Sequence, residues 1–276
     1  RKTNLVFTML GDPSERHAVG DALGIFEPYV ALNPDPYLDT IQRGGLNFSL
    51  KGTHFFNDRF MVEVAASWIN RKNKHLPATE TGRNERAFVD AEAGTISGGS
   101  AGWNDTVSSE ITCGLKGTWS NGRHTLKAGM EYRENKIDSE GVYSSITRYT
   151  DQSFWDWTFR YGGVLKNRIP SLFVQDSWEA SQKLRLNFGL RWDGQFIVAT
   201  DGKVHQKILD QVAPRIGIVY QPGGRAQKVF ASFGRYYEDL MLYIFSLYGS
   251  DFGGSVSLTY NHDPRVDPSG GDAVIQ

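Results

Sequence analysis

Aromatic side chains are the groups in this sequence best suited to contact a ligand, and they are concentrated in one stretch. The stretch reads YTDQSFWDWTFRYGG and contains Phe154, Trp155, Trp157, Phe159 and Tyr161. Aromatic rings exposed at this density can stack on sugar rings or pack against a hydrophobic ligand. We therefore predict that a loop presents Phe154, Trp155, Trp157 and Tyr161 to a ligand. Packing of this loop against other loops is the alternative.

The polar side chains that could bind metal or perform catalysis are scattered. The histidines show no metal-ligand spacing and are interpreted as solvated residues of loops and turns; they are His17, His54, His75, His124, His205 and His262. Asp263, Asp267 and Asp272 could offer oxygen ligands to calcium, but the full spacing of a calcium loop is missing. No phosphate-binding glycine loop, Gly-x-Ser-x-Gly elbow or His-Glu-x-x-His motif occurs. The sequence thus predicts no catalytic residue, no metal site and no cofactor.

Strict alternation of apolar and polar residues predicts the elements that carry these side chains. From Leu184 to Trp192 the chain reads LRLNFGLRW, with Leu186, Phe188 and Leu190 on one face and arginine and asparagine on the other. Successive side chains of a β-strand point to opposite faces, so this period of two indicates a strand. The same alternation occurs at 59–68, 109–119 and 124–133. An all-β protein is predicted.

Four hairpins with short connections organise these strands. They pair 43–51 with 59–68, 108–119 with 124–133, 171–178 with 184–192, and 214–220 with 228–237. The connections within hairpins contain Gly, Asn, Asp, Ser or Pro, which favour tight turns. Weaker strands at 2–10 and 255–261 bring the total to about ten.

Long, polar segments join one hairpin to the next, at 70–107, 134–170 and 193–213. They are interpreted as irregular loops, and one of them contains Trp103, which also could meet a ligand. Alternation of short and long connections is typical of a membrane β-barrel, with tight periplasmic turns and long extracellular loops. The aromatic stretch would then lie outside the cell, where insertion into the outer leaflet is a further alternative to ligand binding.

The apolar faces of the strands are predicted to contact lipid and the polar faces to line a wet lumen. Tilted barrel strands need about 9–11 residues to cross the hydrocarbon layer, and Trp119, Trp178 and Trp192 lie at strand ends, where an interface favours them. The solvent face of a soluble sandwich would show the same alternation, so the pattern leaves both architectures open. Asp176 is an exception, since it falls in phase with apolar neighbours, and the phase of 228–237 is blurred.

Composition narrows the class further. The 276 residues carry 30 basic and 31 acidic side chains, so no basic excess indicates a nucleic-acid partner. The single cysteine, Cys113, excludes an intramolecular disulfide framework and a cysteine-based zinc site. Glycine and aromatic residues are abundant, mean hydropathy is −0.41, and no apolar run approaches the ~20 residues of a membrane helix. The chain starts at Arg1 without a leader and is expected to begin partway through a longer gene product.

The third hairpin, SLFVQDSWEASQKLRLNFGLRWD, resembles a recurring hairpin of TonB-dependent outer-membrane receptors, particularly the Oar-like group. The following VAPRIGIVYQPGGRAQKVFASFGRYYED is similar to the next hairpin of that group, and RHTLKAGMEYREN looks like another of its strands. The resemblance covers about residues 120–240 and does not indicate a ligand. It implies a barrel of about 22 strands with a plugged lumen, opened by a periplasm-spanning TonB energy-transducing protein in a Gram-negative outer membrane.

The sequence departs from that pattern because it has too few strands, no recognisable plug and no energy-coupling motif. Residues 1–276 are therefore interpreted as part of one transmembrane antiparallel up-and-down β-barrel, about ten strands of a larger barrel. The expected function is TonB-dependent, energised uptake of a surface-bound small molecule, saccharide or peptide, without enzymatic activity. The expected partners are outer-membrane lipid, the TonB protein through a plug outside these residues, and that ligand. A soluble extracellular carbohydrate-binding module and a small self-contained barrel, including an enzymatic one, are the alternatives.

Overall fold

The chain forms one predominantly antiparallel sheet of fifteen strands in a computed structural model that describes residues 2–20, 29–223, 227–242 and 253–274. The strands are β1 (Thr3–Gly11), β2 (Ser14–Gly20), β3 (Val30–Ala31), β4 (Leu38–Asn57), β5 (Phe60–Pro77), β6 (Ala87–Asp90), β7 (Thr95–Gly98), β8 (Gly102–Asn121), β9 (His124–Thr150), β10 (Ser153–Ser181), β11 (Leu184–Val198), β12 (Val204–Tyr220), β13 (Val229–Gly234), β14 (Gly253–Tyr260) and β15 (Asp272–Val274). A 3-10 turn (Asp35–Tyr37) and a short helix α1 (Glu80–Asn84) complete the described elements. None of the helices in these residues has the length and apolar character needed to span a membrane.

Nine strands follow one another in an up-and-down path, in the order β1-β4-β5-β8-β9-β10-β11-β12-β13. All neighbours on this path are antiparallel. Within the described residues β1 and β13 share no ladder, so the sheet is open. This architecture confirms the prediction of a partial up-and-down barrel, and each of the ten predicted segments contains a strand.

The distribution of exposed side chains is the reverse of that in a soluble sheet. One face of the long strands carries exposed apolar side chains, among them Leu115, Met130 and Leu190, which are 43%, 56% and 48% exposed. Leu186, which lies on the same face near the turn between β10 and β11, is partly buried. On the other face, Asn167 and Gln195 are fully or almost fully buried. Exposed apolar side chains on one continuous face are expected where lipid covers the protein. Among the residues that the structure describes, no second protein layer covers the face predicted to contact lipid.

The segments 134–170 and 193–213 consist largely of strand, contrary to the prediction of irregular loops. β9 and β10 continue through the first of them without interruption, and only Asp151 and Gln152 separate the two strands. At about 3.3 Å per residue β10 is about 95 Å long, yet its exposed apolar face runs only from Leu172 to Trp178. Beyond the lipid both faces meet water or other protein segments, so the simple apolar period disappears although the backbone remains extended.

Additional short strands pair with the distal parts of the long strands. We call distal the end of the sheet opposite the predicted hairpin turns, such as the turn between β8 and β9 and the turn between β10 and β11. β14 pairs with β10 over Phe154–Tyr161, and β6 pairs in parallel with β9. The segment 255–261 is therefore not the next strand of the membrane series, as predicted, but an addition to the distal sheet. Its pairing partner is distant in sequence, which is why local alternation could not place it.

Candidate ligand-binding face

Four aromatic side chains form a continuous ladder along the distal part of β10. Ring centroids of Trp155 and Trp157 lie 5.9 Å apart, those of Trp157 and Phe159 6.5 Å, and those of Phe159 and Tyr161 5.6 Å. The planes of successive rings differ by 22°, 5° and 27°. Alternate residues of a strand point to one face, so the spacing of two in the sequence places all four rings on the same side. We call these four residues the aromatic ladder.

Phe154 does not belong to this ladder, contrary to the prediction that grouped it with Trp155, Trp157 and Tyr161. Its odd-even phase places it on the opposite face, where it is 4% exposed and packs with Ile146 and Tyr260. The stretch is a regular strand rather than a loop, so its neighbouring residues are separated onto two faces. The prediction assumed a loop, in which all aromatic side chains could have met the same ligand.

Small side chains flank the ladder on both neighbouring strands. On β9 the residues opposite Tyr161, Trp157 and Trp155 are Gly141, Ser145 and Thr147. On β14 the residues opposite Tyr161, Phe159, Trp157 and Trp155 are Gly253, Ser255, Ser257 and Thr259. Bulky rings beside small residues have room to lie along the sheet.

Glycine permits the closest of these approaches. A Cβ atom at Gly141 would lie 2.5 Å from Cζ and from the hydroxyl oxygen of Tyr161. Tyr161 therefore leans over the backbone of β9, where its ring stacks with Tyr143 at 6.0 Å. Tyr143 in turn leans over Gly102 of β8. Cross-strand pairs of glycine with an aromatic ring stabilise a sheet locally, and they account for part of the high glycine and aromatic content.

The ladder shares its face with the polar, inward side of the barrel strands. The register between β9 and β10 is continuous from Phe154 to Trp178, so Tyr161, Leu165 and Asn167 point to the same side. Tyr161 packs against the buried cluster of Leu165, Ile197 and Leu242. The ladder is thus the distal extension of the face opposite the lipid-exposed one.

A segment that follows β13 lies across this inward face below the ladder. The amide nitrogen of Leu240 donates to Oε1 of Gln195 at 2.9 Å, and Nδ2 of Asn167 donates to the same oxygen at 2.8 Å. Nε2 of Gln195 donates to Oε1 of Gln211 at 3.1 Å. Buried polar groups require such partners, and this amide network holds the segment against β10, β11 and β12.

The opposite face of the distal strands is strongly charged. Arg86 binds both carboxylate oxygens of Asp156, and Nη1 of Arg148 lies 2.6 Å from Oδ2 of Asp90. The backbone N–H of Ala93 and then Arg148 lower the pKa of Asp90, because both stabilise its ionised form. Trp103 lies on this face too, since it is opposite Val142 in the β8–β9 ladder. The ligand contact considered for Trp103 would therefore be separate from the ladder.

The histidines and the acidic C-terminal segment form no metal site among the described residues. His75 is buried in β5, contrary to the prediction of a solvated loop residue, and its Nε2 lies 3.1 Å from Nη2 of Arg43. Asp263 binds Arg265, and its pKa is lowered chiefly by that hydrogen bond. Asp267 accepts from the backbone and hydroxyl of Ser269. These carboxylates are satisfied by local partners.

Sequence reasoning missed the residues that build the ladder's surroundings. Tyr143, Gly141 and Gly253 lie 12 or more residues from Trp155 along the chain and meet the ladder only through strand pairing. The spacing of Trp155, Trp157, Phe159 and Tyr161 at every second position was the available signal that they share one face of a strand.

Comparison with known proteins agrees with this architecture. A family model described as "TonB dependent receptor-like, beta-barrel" matches residues 8–272. Over 72 residues the chain is 42% identical to the "TonB-dependent transporter Oar" of Myxococcus xanthus. That stretch is 25% of this chain but only 7% of the relative, so the chain corresponds to a small part of that protein. Because this family model matches nearly the whole length of the chain, the chain belongs to the family of TonB-dependent receptor β-barrels.

Proposed function

We propose that these residues are part of an outer-membrane receptor that captures a ligand at the cell surface and imports it in an energised, TonB-dependent step. The relative from Myxococcus xanthus is named a TonB-dependent transporter, which supports this function. The expected partners are the lipid of a Gram-negative outer membrane, a periplasm-spanning TonB protein and a surface-bound ligand.

The observation that carries the proposal is the reversed exposure of the long strands. Met130, Leu172 and Leu190 are about half exposed, whereas Asn167, Ser171 and Gln195 on the other face are buried. A soluble binding module would expose this broad apolar face to water, which is unfavourable and promotes association. A bilayer would cover this apolar face and remove the cost of exposing it to water. The exposed apolar face therefore favours the membrane receptor over the soluble module.

The aromatic ladder is the part of the proposed receptor that would meet the ligand. Trp155, Trp157 and Tyr161 are partly exposed, and they lie far along β10 from the apolar band that begins at Leu172. Because they are on the inward face, a ligand stacked on them would already be on the transport side of the barrel wall. Phe154, buried on the other face, has no part in this surface.

The proposal is tested with the full-length protein in Gram-negative cells. We expect to find the protein in the outer-membrane fraction. We also expect the folded barrel to resist unfolding by detergent until the sample is heated. Cells with and without the gene are given labelled oligosaccharides, ferric chelates and peptides. At least one compound should enter only when the protein is present, and collapse of the proton gradient by an uncoupler should stop its entry.

Recovery of the protein from the aqueous fraction would contradict the proposal. Uptake that continues after the uncoupler is added would contradict the energised step. A pore-forming control barrel in the same strain should admit small solutes with and without the gradient, which separates passive leakage from energised import.

A further inference from the structure

We propose that the aromatic ladder binds an uncharged oligosaccharide that lies along β10. This inference rests on the proposed receptor function and specifies the chemical class of its ligand. The surface is the inward, distal face of β8, β9, β10 and β14.

The inward positions of β8, β9, β10 and β14 around the ladder carry no formal charge, and Asp272 of β15, opposite Thr259, is a carboxylate at the edge of this face. The inward positions surrounding the ladder are Gly102, Asn104, Thr106 and Ser108 on β8, Ser139, Gly141, Tyr143, Ser145 and Thr147 on β9, Gly163 and Leu165 on β10, and Gly253, Ser255, Ser257 and Thr259 on β14. Every one of them is aromatic, aliphatic, glycine, hydroxyl-bearing or an amide. An anionic ligand stacked here would lose hydration without gaining a counter-ion, which is costly.

The same strands place their charges on the other face. Asp138, Glu140 and Arg148 alternate with the inward residues of β9, and Asp156 and Arg160 alternate with the ladder itself. Charge is therefore not absent from this region but separated by face. A stretch of strand that needed only solubility would have no reason to keep one of two water-accessible faces neutral.

The chemical groups of this face match those that sugars bind. Sugars present flat C–H surfaces that pack on aromatic rings and hydroxyl groups that exchange hydrogen bonds with hydroxyl and amide side chains. The ladder supplies four nearly parallel rings spaced 5.6–6.5 Å apart, a repeat comparable with successive rings of a pyranose chain. Ser255 and Thr259 are exposed beside it, and Asn104 has a buried side-chain oxygen without a hydrogen-bond partner.

Exposure separates the ladder from ordinary aromatic packing in the same strand. Phe154 is a packing residue, with 4% of its surface exposed, whereas Trp155, Trp157, Phe159 and Tyr161 all retain accessible surface. Their indole, phenyl and phenol rings are held in position by cross-strand neighbours, so little side-chain freedom remains to be lost when a ligand binds. A prearranged, partly exposed row of rings is suited to an extended ligand.

The test is direct binding to the purified full-length protein in detergent, measured by calorimetry and by tryptophan fluorescence. The probes are neutral hexasaccharides of β-linked glucose, α-linked glucose, xylose, mannose and N-acetylglucosamine. A hexamer of galacturonic acid is the charged probe of equal length. We expect at least one neutral hexasaccharide to bind and the uronate hexamer to bind at least about tenfold more weakly.

Substitutions then connect the binding to the ladder. Trp157→Ala and the double variant Trp155→Ala/Trp157→Ala should each weaken binding of the neutral hexasaccharide at least about tenfold, since buried aromatic anchors dominate binding energy. Trp103→Ala is the matched control, because Trp103 lies on the distal part of β8 but on the opposite face. The affinity of the Trp103→Ala variant for the neutral hexasaccharide should stay within about twofold of that of the unchanged protein. Trp157→Phe should restore much of the binding lost in Trp157→Ala.

Failure of every neutral hexasaccharide to bind the folded protein would overturn the inference, as would equal or tighter binding of the uronate. Equal losses in the Trp157→Ala and Trp103→Ala variants would also overturn it. None of these results affects the proposed receptor function, which fails separately if the protein is absent from the outer membrane or imports nothing in an energised manner.

Discussion

Nδ1 of His124 lies 2.6 Å from Oδ2 of Asp176 on the lipid-exposed face of the sheet, close to the short hairpin turns. The His124 ring also stacks on Trp178 at 5.8 Å, with 5° between the two planes. This pairing explains the one acidic residue that falls in phase with apolar neighbours. A carboxylate on the lipid face is tolerated because His124 of the neighbouring strand is its partner and Trp178 stacks on that His124 ring, at the level where a membrane interface favours polar and aromatic side chains.

His124→Ala should destabilise the barrel, because Asp176 would then face lipid without a partner. We expect a loss of at most about 1 kcal/mol, as for a poorly compensated charge near the membrane interface. Urea unfolding of the full-length protein in lipid vesicles measures the change. The double variant His124→Leu/Asp176→Leu should recover the lost stability, and a double variant less stable than His124→Ala would show that the pair is not acting as proposed.

Leu115→Arg should destabilise the barrel more strongly than any change at the rim. Leu115 lies midway along the apolar face of β8, between Val64 and Met130 of the neighbouring strands. Arginine at the centre of the lipid face of a barrel costs about 2–4 kcal/mol, and urea unfolding in vesicles measures it.

Gly114→Arg is the matched control for the preceding variant, because Gly114 immediately precedes Leu115 in β8 and occupies an inward position. A Cβ atom there meets only ordinary contacts, 3.5 Å or more away, and Glu131 lies opposite on β9. We expect a change of less than about 1 kcal/mol, since an exposed ion pair contributes little. Similar losses in both variants would contradict the assignment of the two faces.

Gly141→Ala should displace the Tyr161 ring and distort the aromatic ladder. The new Cβ atom would lie 2.5 Å from the ring, and relief of such overpacking costs about 1–3 kcal/mol. Gly162→Ala is the control, since its Cβ atom would meet no atom closer than 3.4 Å. Unfolding measurements on Gly141→Ala, Tyr161→Ala and the double variant should give a non-additive pair; strictly additive losses would contradict the contact.

Acidification should weaken the attachment of β6 to β9. The pKa of Asp90 is lowered in the folded state, first by the N–H of Ala93 and then by Arg148, so the ionised carboxylate stabilises this contact. The contribution is complete above the unfolded pKa of about 3.9 and is lost as the pH falls below it toward the folded value. Amide protection in Ala87–Asp90, compared at pH 6 and below pH 4 after correction for intrinsic exchange, should therefore decrease at the lower pH. Arg148→Ala should reduce this decrease, and an unchanged decrease would contradict a role for Arg148 in it.

The membrane strands were predictable from the sequence because each of their two faces meets a different solvent. Lipid on one side and the polar interior on the other impose a strict period of two at Leu184–Trp192 and in the other barrel segments. What the alternation left open was the direction of the apolar face, because a sandwich core and a lipid surface select the same residues. The exposure of Leu172 and Leu190 distinguishes the two.

The sequence by itself therefore determined the all-β class, the hairpin order of β4 to β13 and the division of each membrane strand into two faces. Tertiary structure alone decided the continuation of β9 and β10 beyond the lipid, the pairing of β14 with β10, and the separation of Phe154 from Trp155, Trp157 and Tyr161. The physical reason is the range of the interactions. Alternation within a strand depends only on residues that are neighbours in the sequence. Gly141, Gly253 and Asp176, in contrast, depend on partners that only strand pairing brings into contact.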